Sequence, residues 1–404
     1  MGRPHLSPKQ TRSPWGIVWA LSVTQIISWG SLYYAFSVLL VPMERDLGWH
    51  RDTLVGAFSL SLLVAGAGAF PVGMLIDRIG GRKVMSLGSV LAGALLLVLA
   101  RTESVALFYA VWTGLGMAMA MLLYEPAFAV IYATFGADAR KGITALTLTA
   151  GFASTVFWPL SQGLVHATGW RGAVGIMGCA NLLLCAPLHV LFLPSSAGGA
   201  RRASSSARAS ILPSLLRNRS FWLLAVSFTA NMAAFSTLSV HLIPLLQERG
   251  LSPADTVLLA AAIGPMQVLG RVLEVTVGAR FRAAQVGLLA LSLLPVALIA
   301  LAEAGSRWVL LIAFAALYGA SNGVMTIVRA VMPAELFGRE SYGAISGALS
   351  APVILSRAVA PIAAALLWSA SGSYAVVLWV LVALALIAVA GFALATRRQV
   401  QSQS

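Results

Sequence analysis

Five charged residues stand in sequence that is otherwise almost wholly apolar: Glu125, Arg271, Glu274, Arg329 and Arg357. Each lies inside a run long enough to cross a bilayer. An arginine at mid-membrane costs roughly 2.5–3.5 kcal/mol on insertion scales, so such a residue is a functional candidate by default. Arg271 lies about 17 residues into its run and Arg357 about 16, which places both near the membrane middle. Arg329 and Glu125 fall in the third nearer one surface, and Glu274 follows Arg271 by one turn. Three cations against two carboxylates leave excess positive charge, which in a low-dielectric cavity favours an anionic ligand. Internal pairing is the competing reading: Arg271 with Glu274 at i+3, and Arg329 with Glu125 across helices. Arg357 has no such partner in the sequence.

Polar and aromatic side chains at helical spacing accompany these charges. Gln25, Trp29 and Tyr33 recur every four residues, and Asn231 and Phe235 repeat the pattern. Tyr318, Asn322, Met325 and Arg329 fall within roughly 60° of one another at 100° per residue. The aromatics suit packing as well as ligand contact. Asn231 and Asn322 are stronger candidates, because an amide in hydrocarbon needs a partner. Gln267, one turn before Arg271, completes the set. No spacing of His, Cys, Asp or Glu suggests a metal, no Ser/His/Asp grouping suggests hydrolysis, and no cofactor is expected. The histidines do not form a relay: His50 and His166 fall at a surface, His189 and His241 near segment ends. Cys179 and Cys185 point to different faces of one segment and suit packing.

The elements that must carry these residues are membrane helices. The chain is 59% hydrophobic and 10% charged, with a mean hydropathy of +0.87; a soluble domain carries about 25% charged residues. Twelve stretches qualify as spans, near 15–41, 53–76, 84–100, 105–134, 142–166, 171–193, 220–246, 254–278, 284–302, 307–333, 342–368 and 373–395. The Gly-Ser-Ala-Arg-rich stretch 194–219 reads as a linker between an N-terminal six-helix bundle, 15–193, and a C-terminal one, 220–396. A basic arm, 1–14, and a tail, 397–404, complete the chain. The net charge of +14 is distributed between apolar runs, which argues against nucleic acid. With the N-terminus cytoplasmic, 18 Lys and Arg fall inside and 6 outside, a positive-inside bias. The run after the arm is too long, and lacks the small-residue site, for a cleaved signal peptide. No Gly-Lys-Ser/Thr phosphate loop points to ATP.

Between the second and third segments runs Gly73-Met-Leu-Ile-Asp77-Arg78-Ile-Gly80-Gly81-Arg82-Lys83. It resembles the signature loop of the major facilitator superfamily, which joins helices 2 and 3 on the cytoplasmic side. The resemblance implies an all-α membrane fold of twelve helices in two pseudo-symmetric bundles, and a secondary transporter working by alternating access. Gly73 would let helix 2 approach a neighbour closely, and Asp77 would accept from the start of segment 11, with its Gly343-xxx-Gly347-xxx-Ala351 stripe. Asp77 and Arg78 would then latch the halves, and Asp77→Asn would slow transport without loss of expression. Phe135-Gly136 with Arg140 and Lys141 recurs weakly as Phe337-Gly338 with Arg339, as internal repeats predict.

Within the superfamily the chain looks most like the monocarboxylate and oxalate/formate porter branch. Leu47-Gly48-Trp49-His50-Arg51, Arg140-Lys141-Gly-Ile143…Ala150-Gly151, Gly169-Trp170-Arg171 and Gln267-x-x-x-Arg271 carry this. The resemblance implies that Arg271 binds carboxylate. The branch's proton-coupling Asp is Gln267 here, which cannot titrate, so coupling would fall to Glu125 or Glu274. The expected ligand is a small organic anion held by Arg271 and Arg357 and shaped by Trp29, Tyr33, Asn231, Tyr318 and Asn322, with a proton as the possible second cargo. The expected setting is the lipid bilayer of a bacterial inner membrane, as a monomer with both termini cytoplasmic. Drug or metalloid efflux, and a non-transporting sensor, are the alternatives; an enzyme is not expected.

Overall fold

A bilayer leaves a backbone N–H nowhere to bond except within its own helix, and the apolar runs fold accordingly. The computed structural model describes residues 14–135, 139–194, 215, 217–305, 307–337 and 342–401, and among them no strand occurs. Eleven stretches are long and apolar enough to cross a membrane. One of them, Lys141–Phe192, has 52 residues, or about 78 Å of helix against a hydrocarbon layer of ~30 Å. It reverses at Gly169, whose φ of 71° and ψ of 172° no helix accommodates.

The result is twelve crossings. Helix 1 is Pro14–Leu47, helix 2 Arg51–Ile79, helix 3 Gly81–Leu99 and helix 4 Val105–Phe135; helices 5 and 6 flank Gly169. Helix 7 is Arg219–Glu248, helix 8 Pro253–Thr276, helix 9 Ala283–Glu303, helix 10 Trp308–Phe337, helix 11 Tyr342–Ser371 and helix 12 Tyr374–Gln401. An even number of crossings puts both chain ends at one face, the terminal end. The opposite face, the far end, is built from short turns. Gly48, Gly169, Gly250, Gly305 and Gly372 all have positive φ there, a conformation that costs glycine nothing.

Buried apolar residues gather into one large cluster centred on helices 1–6 and two centred on helices 7–12. Small residues set the closest approaches. A side chain at Gly116 of helix 4 would strike the Ser61 backbone of helix 2, and one at Gly323 of helix 10 would strike the Gln267 backbone of helix 8. Between the halves, helix 2 packs along helix 11 and helix 5 along helix 8. Gly56 and Gly66 meet Ile362 and Ile354 in the first of these pairs.

Gly73 does not make the expected close approach: a Cβ there would meet nothing within 4 Å, because the contact is made nearer the far end, at Gly56 and Gly66. Gly80 ends helix 2 with φ 86°. Arg82 donates to the Leu193 carbonyl at 2.6 Å, so this loop arginine caps the end of helix 6, while Arg78 is exposed. The Asp77 side chain, the Gly343–Gly347 face, Gly136, Gly338, nearly all of the arm and linker, and the last tail residues lie outside what the structure describes.

Candidate functional site

Four crossings depart from regular helix, and three of the departures surround the candidate residues. Helix 4 breaks at Leu123, whose φ of −74° and ψ of −154° are extended. Three residues later stands Pro126, which has no N–H to offer the Leu122 carbonyl. Gln25 of helix 1 supplies the missing donor: its Nε2 lies 2.6 Å from Leu122 O and 3.4 Å from Leu123 O. Its Oε1 accepts from Trp29 Nε1 at 3.1 Å. The buried Gln25 amide is therefore engaged by the protein at both ends.

Immediately after Trp29, helix 1 widens into a π-helical turn, Gly30–Tyr34; such turns gather at functional sites. The extra residue brings Tyr33 and Tyr34 both toward the middle of the molecule. Trp29 packs on Tyr33, Tyr34 and Tyr124 with centroids 5.1–6.3 Å apart. Tyr34 meets Trp158 of helix 5 at 5.6 Å. Over this aromatic surface lies Arg357 of helix 11, its guanidinium carbon 4.9 Å from the Tyr33 centroid and 5.2 Å from that of Trp29. Charge from the C-terminal half thus rests on rings from the N-terminal half.

Arg271 also crosses between the halves. Helix 5 is interrupted at Gly151 and Phe152, and Arg271 Nη1 donates to the Thr147 carbonyl at this break, at 2.6 Å. A Cβ on Gly151 would stand 3.0 Å from that nitrogen, so the glycine makes room for the guanidinium. Arg271 Nε is buried without a partner. Tyr124 lies within hydrogen-bonding reach of Arg271. Arg329 lies close enough to Arg271 and to Arg357 for each to repel it. Arg271 sits five residues from Thr276, nearer the terminal end than the mid-membrane position expected from the sequence.

The bonds seen at Arg271 and Arg329 run to backbone carbonyls and not to the carboxylates of the alternative reading. Arg271 turns to Thr147 rather than Glu274, and Glu274 borders an apolar groove with Leu273, Val277, Phe281 and Leu289 between helices 8 and 9. Arg329 donates to Met325 O of its own helix at 3.3 Å, while Glu125 is exposed. Glu44–Arg51 and Asp46–Arg171 form ion pairs at the far end, whereas the bonds seen at Arg271 and Arg329 among the described residues go to backbone carbonyls and Arg357 rests on aromatic rings.

On the C-terminal side, Tyr318 packs on Phe235 at 4.8 Å and reaches the Phe235 carbonyl at 3.4 Å. One turn away on each helix come Asn231 and Asn322. Asn231 is wholly buried, and neither its amide nitrogen nor its oxygen has a partner. Ser356 of helix 11 donates to the Thr229 carbonyl at 2.9 Å, which sets Asn231 at about the level of Arg357. Asn322 is half-buried, and Gln267 is 6% exposed with its backbone against Gly323.

At the far end the halves are clasped. Glu44 and Arg51 pair at 2.7 Å; Arg51 lies 3.9 Å over the Trp368 ring and donates to the Tyr374 hydroxyl at 3.3 Å. Glu248 accepts from Trp368 Nε1 and from the Tyr374 backbone. His241 bridges Tyr374 Oη and Pro361 O. The sequence reading passed over Tyr34, Tyr124, Trp158 and this clasp. Only the Tyr124-Glu125-Pro126 break carried a local signal, since a proline within an apolar run marks a helix interruption.

The profile of the Major Facilitator Superfamily matches residues 21–305. The chain is 24% identical over 262 residues to the uncharacterized MFS-type transporter YcxA of Bacillus subtilis (strain 168), covering 61% of each chain. It is 31% identical over 268 residues to monocarboxylate transporter 11 of Homo sapiens, covering 62% of this chain and 54% of that one. The chain thus matches less than two thirds of the length of either relative. In structure it is similar to a bacterial homolog of the human lysosomal transporter Spinster in an inward-facing, unoccupied conformation, with a TM-score of 0.72 at 16% identity over 98% of this chain and 99% of that one. At that identity the likeness is one of fold.

Proposed function

The chain belongs to the major facilitator superfamily and resembles its monocarboxylate transporters; from that premise we propose that it carries a small organic anion across a bacterial inner membrane by alternating access, as a symporter or exchanger. One observation carries the reading. Arg357 and Arg271 each reach from the C-terminal half to the N-terminal half, Arg357 onto the rings of Trp29 and Tyr33 and Arg271 onto the Thr147 carbonyl, and neither is seen bonded to a carboxylate among the described residues. Desolvated cations, with a third, Arg329, near both, gain most from a ligand that brings negative charge. Arg271 Nε and the Asn231 amide are free to donate to it. Guanidinium groups suit carboxylate because their planar N–H pairs match its two oxygens.

The other residues take supporting roles in this reading. Trp29, Tyr33 and Tyr318 wall the site, joined by Tyr34, Tyr124 and Trp158. Asn322 and Gln267 line the helix 8 and helix 10 side, and Arg329 adds charge toward the terminal end. Gln25 positions Trp29 and the helix 4 break instead of touching ligand. Glu125, exposed and next to Tyr124, is the proton carrier we assign; Glu274 faces the apolar groove. The 18-to-6 cation bias makes the terminal end cytoplasmic and the far end external, and the protein works as a monomer of two six-helix bundles.

The test is a ligand panel on purified protein: acetate, pyruvate, benzoate, oxalate and succinate beside neutral and cationic organic compounds, read by thermal unfolding. At least one carboxylate raises the midpoint, and Arg271→Gln and Arg357→Gln each abolish the rise. Stabilisation by neutral or cationic compounds alone would instead point to efflux of such compounds.

A further inference from the structure

One titratable side chain in the far-end clasp has no part in the transport cycle set out above. His241 lies seven residues before the end of helix 7, about 10 Å below the far surface at 1.5 Å per residue, and is fully buried. Its Nε2 is 2.9 Å from the Pro361 carbonyl of helix 11, and its Nδ1 is 2.7 Å from the Tyr374 hydroxyl of helix 12. A carbonyl only accepts, so Nε2 bears the hydrogen. The Tyr374 oxygen already accepts from Arg51 Nη1 at 3.3 Å, and its single proton goes to Nδ1. The ring that fits this clasp is neutral.

The charged and titratable groups around it are Glu44 of helix 1, Arg51 of helix 2, Glu248 of helix 7 and Tyr374 of helix 12. Both carboxylates are engaged: Glu44 holds Arg51 at 2.7 Å, and Glu248 accepts from the Trp368 indole at 2.7 Å and the Tyr374 backbone at 3.0 Å. A second proton on His241 would set an N–H and an O–H against each other at the present Nδ1–Oη separation. The phenol proton would need a new acceptor, and a buried imidazolium would stand near the Arg51 guanidinium. The closed clasp therefore binds one proton fewer than a state in which helices 1 and 2 part from helices 7, 11 and 12.

We propose that His241 is an external proton-binding site that controls the far-end gate: a proton taken up there releases the Tyr374–Arg51 clasp and holds the carrier open to the outside. The proposal rests on the orientation assigned above. Since the open state binds the extra proton, acid favours opening, and the open-to-closed ratio rises by at most about tenfold per pH unit, the slope for one proton.

The experiment places spin labels at Glu103→Cys and Glu303→Cys, exposed far-end positions on opposite halves, in protein carrying Cys179→Ser, and follows their distance from pH 8 to pH 5. A longer distance should gain population toward pH 5 in the otherwise native protein. His241→Gln keeps an amide donor and acceptor but cannot titrate, so its distances should not respond to pH. A native distance that is constant with pH, or a His241→Gln variant that tracks the native response, overturns the proposal. Should that variant not fold, Tyr374→Phe serves: without the bridge it should populate the longer distance at pH 8, and a native-like distance with a native pH response would equally refute it. No substrate is added, so a failed carboxylate panel and a failed gate remain distinguishable.

Discussion

Replacing Gln25 by leucine removes two hydrogen bonds while keeping the volume nearly constant. The Leu122 carbonyl loses the donor at 2.6 Å, and Trp29 Nε1 loses its acceptor at 3.1 Å. A buried group left unpaired costs about 1–3 kcal/mol, whereas side-chain hydrogen bonds within membranes average ~0.6 kcal/mol, because the unfolded helices also find partners. Both partner groups are buried and would be left without a substitute, so the lower end of the first figure governs here, and the pair should be worth about 2 kcal/mol. The structure also says where half of that loss comes from: Pro126 cannot reach Leu122. Pro126→Ala restores an N–H and allows helix 4 to close on that carbonyl. In the Gln25→Leu background it should recover about 1 kcal/mol, a typical net hydrogen bond, although the same change alone leaves Gln25 with a competitor and gains little. Reversible unfolding in mixed micelles, run as a four-protein cycle, measures this coupling. Effects that simply add, within the ~0.5 kcal/mol expected of independent sites, would refute the idea that Gln25 stands in for the missing proline hydrogen.

Arg357→Lys keeps the charge but loses the planar face lying on Trp29 and Tyr33, and carboxylate affinity measured by calorimetry should fall about tenfold, in keeping with a cation–π contribution of about 1–2 kcal/mol; unchanged affinity would remove the rings from the site. Gly151→Val places branched carbon where Arg271 Nη1 now lies, so the carboxylate-induced thermal shift should vanish while the protein still purifies as a monodisperse peak. Gly323→Leu forces helix 10 off the Gln267 backbone and should instead reduce the yield of folded protein in size-exclusion chromatography, with Gly116→Leu doing the same between helices 2 and 4. Asn231→Leu replaces an unpaired buried amide by an apolar side chain; thermal stability without ligand should hold or rise, and carboxylate stabilisation should drop.

Much of the architecture was open to inspection in the amino-acid order, because hydrocarbon solvent permits so few solutions. Twelve apolar runs and the Gly73–Lys83 loop led to twelve crossings, and the four-residue spacing of Gln25, Trp29 and Tyr33 placed those side chains on one face. Arg357 was the charge without a sequence partner, and it meets that face. The rest depended on departures from regular helix. At 100° per residue Tyr34 points well away from Trp29; only the π-helical turn at Gly30–Tyr34 rotates it inward. Gln25 read as a ligand contact because its partner, a carbonyl freed by a proline, belongs to a helix about a hundred residues on. Pairing of Arg271 with Glu274 at i+3 was the competing reading; the guanidinium instead donates to the Thr147 carbonyl that the break in helix 5 exposes, a partner far away in the chain. His241 was passed over as lying near a segment end, since its two partners come from helices 11 and 12.

On the orientation proposed above, the glycine turns of the far end have a consequence for how this protein meets the world beyond the membrane. Helices 5 and 6 reverse at Gly169, helices 11 and 12 across Gly372 and Ser373, and helices 1 and 2 across Gly48, Trp49 and His50. Such turns leave little extended chain for a protease to grip or an antibody to recognise. Seen from that side the molecule is close to invisible. An epitope tag or affinity handle inserted there would have to unwind a helix end to be displayed, and would disturb the clasp in doing so. Handles for detection therefore belong on the chain termini, and on that orientation surveys that shave intact cells and sequence the released peptides will undercount this protein however abundant it is.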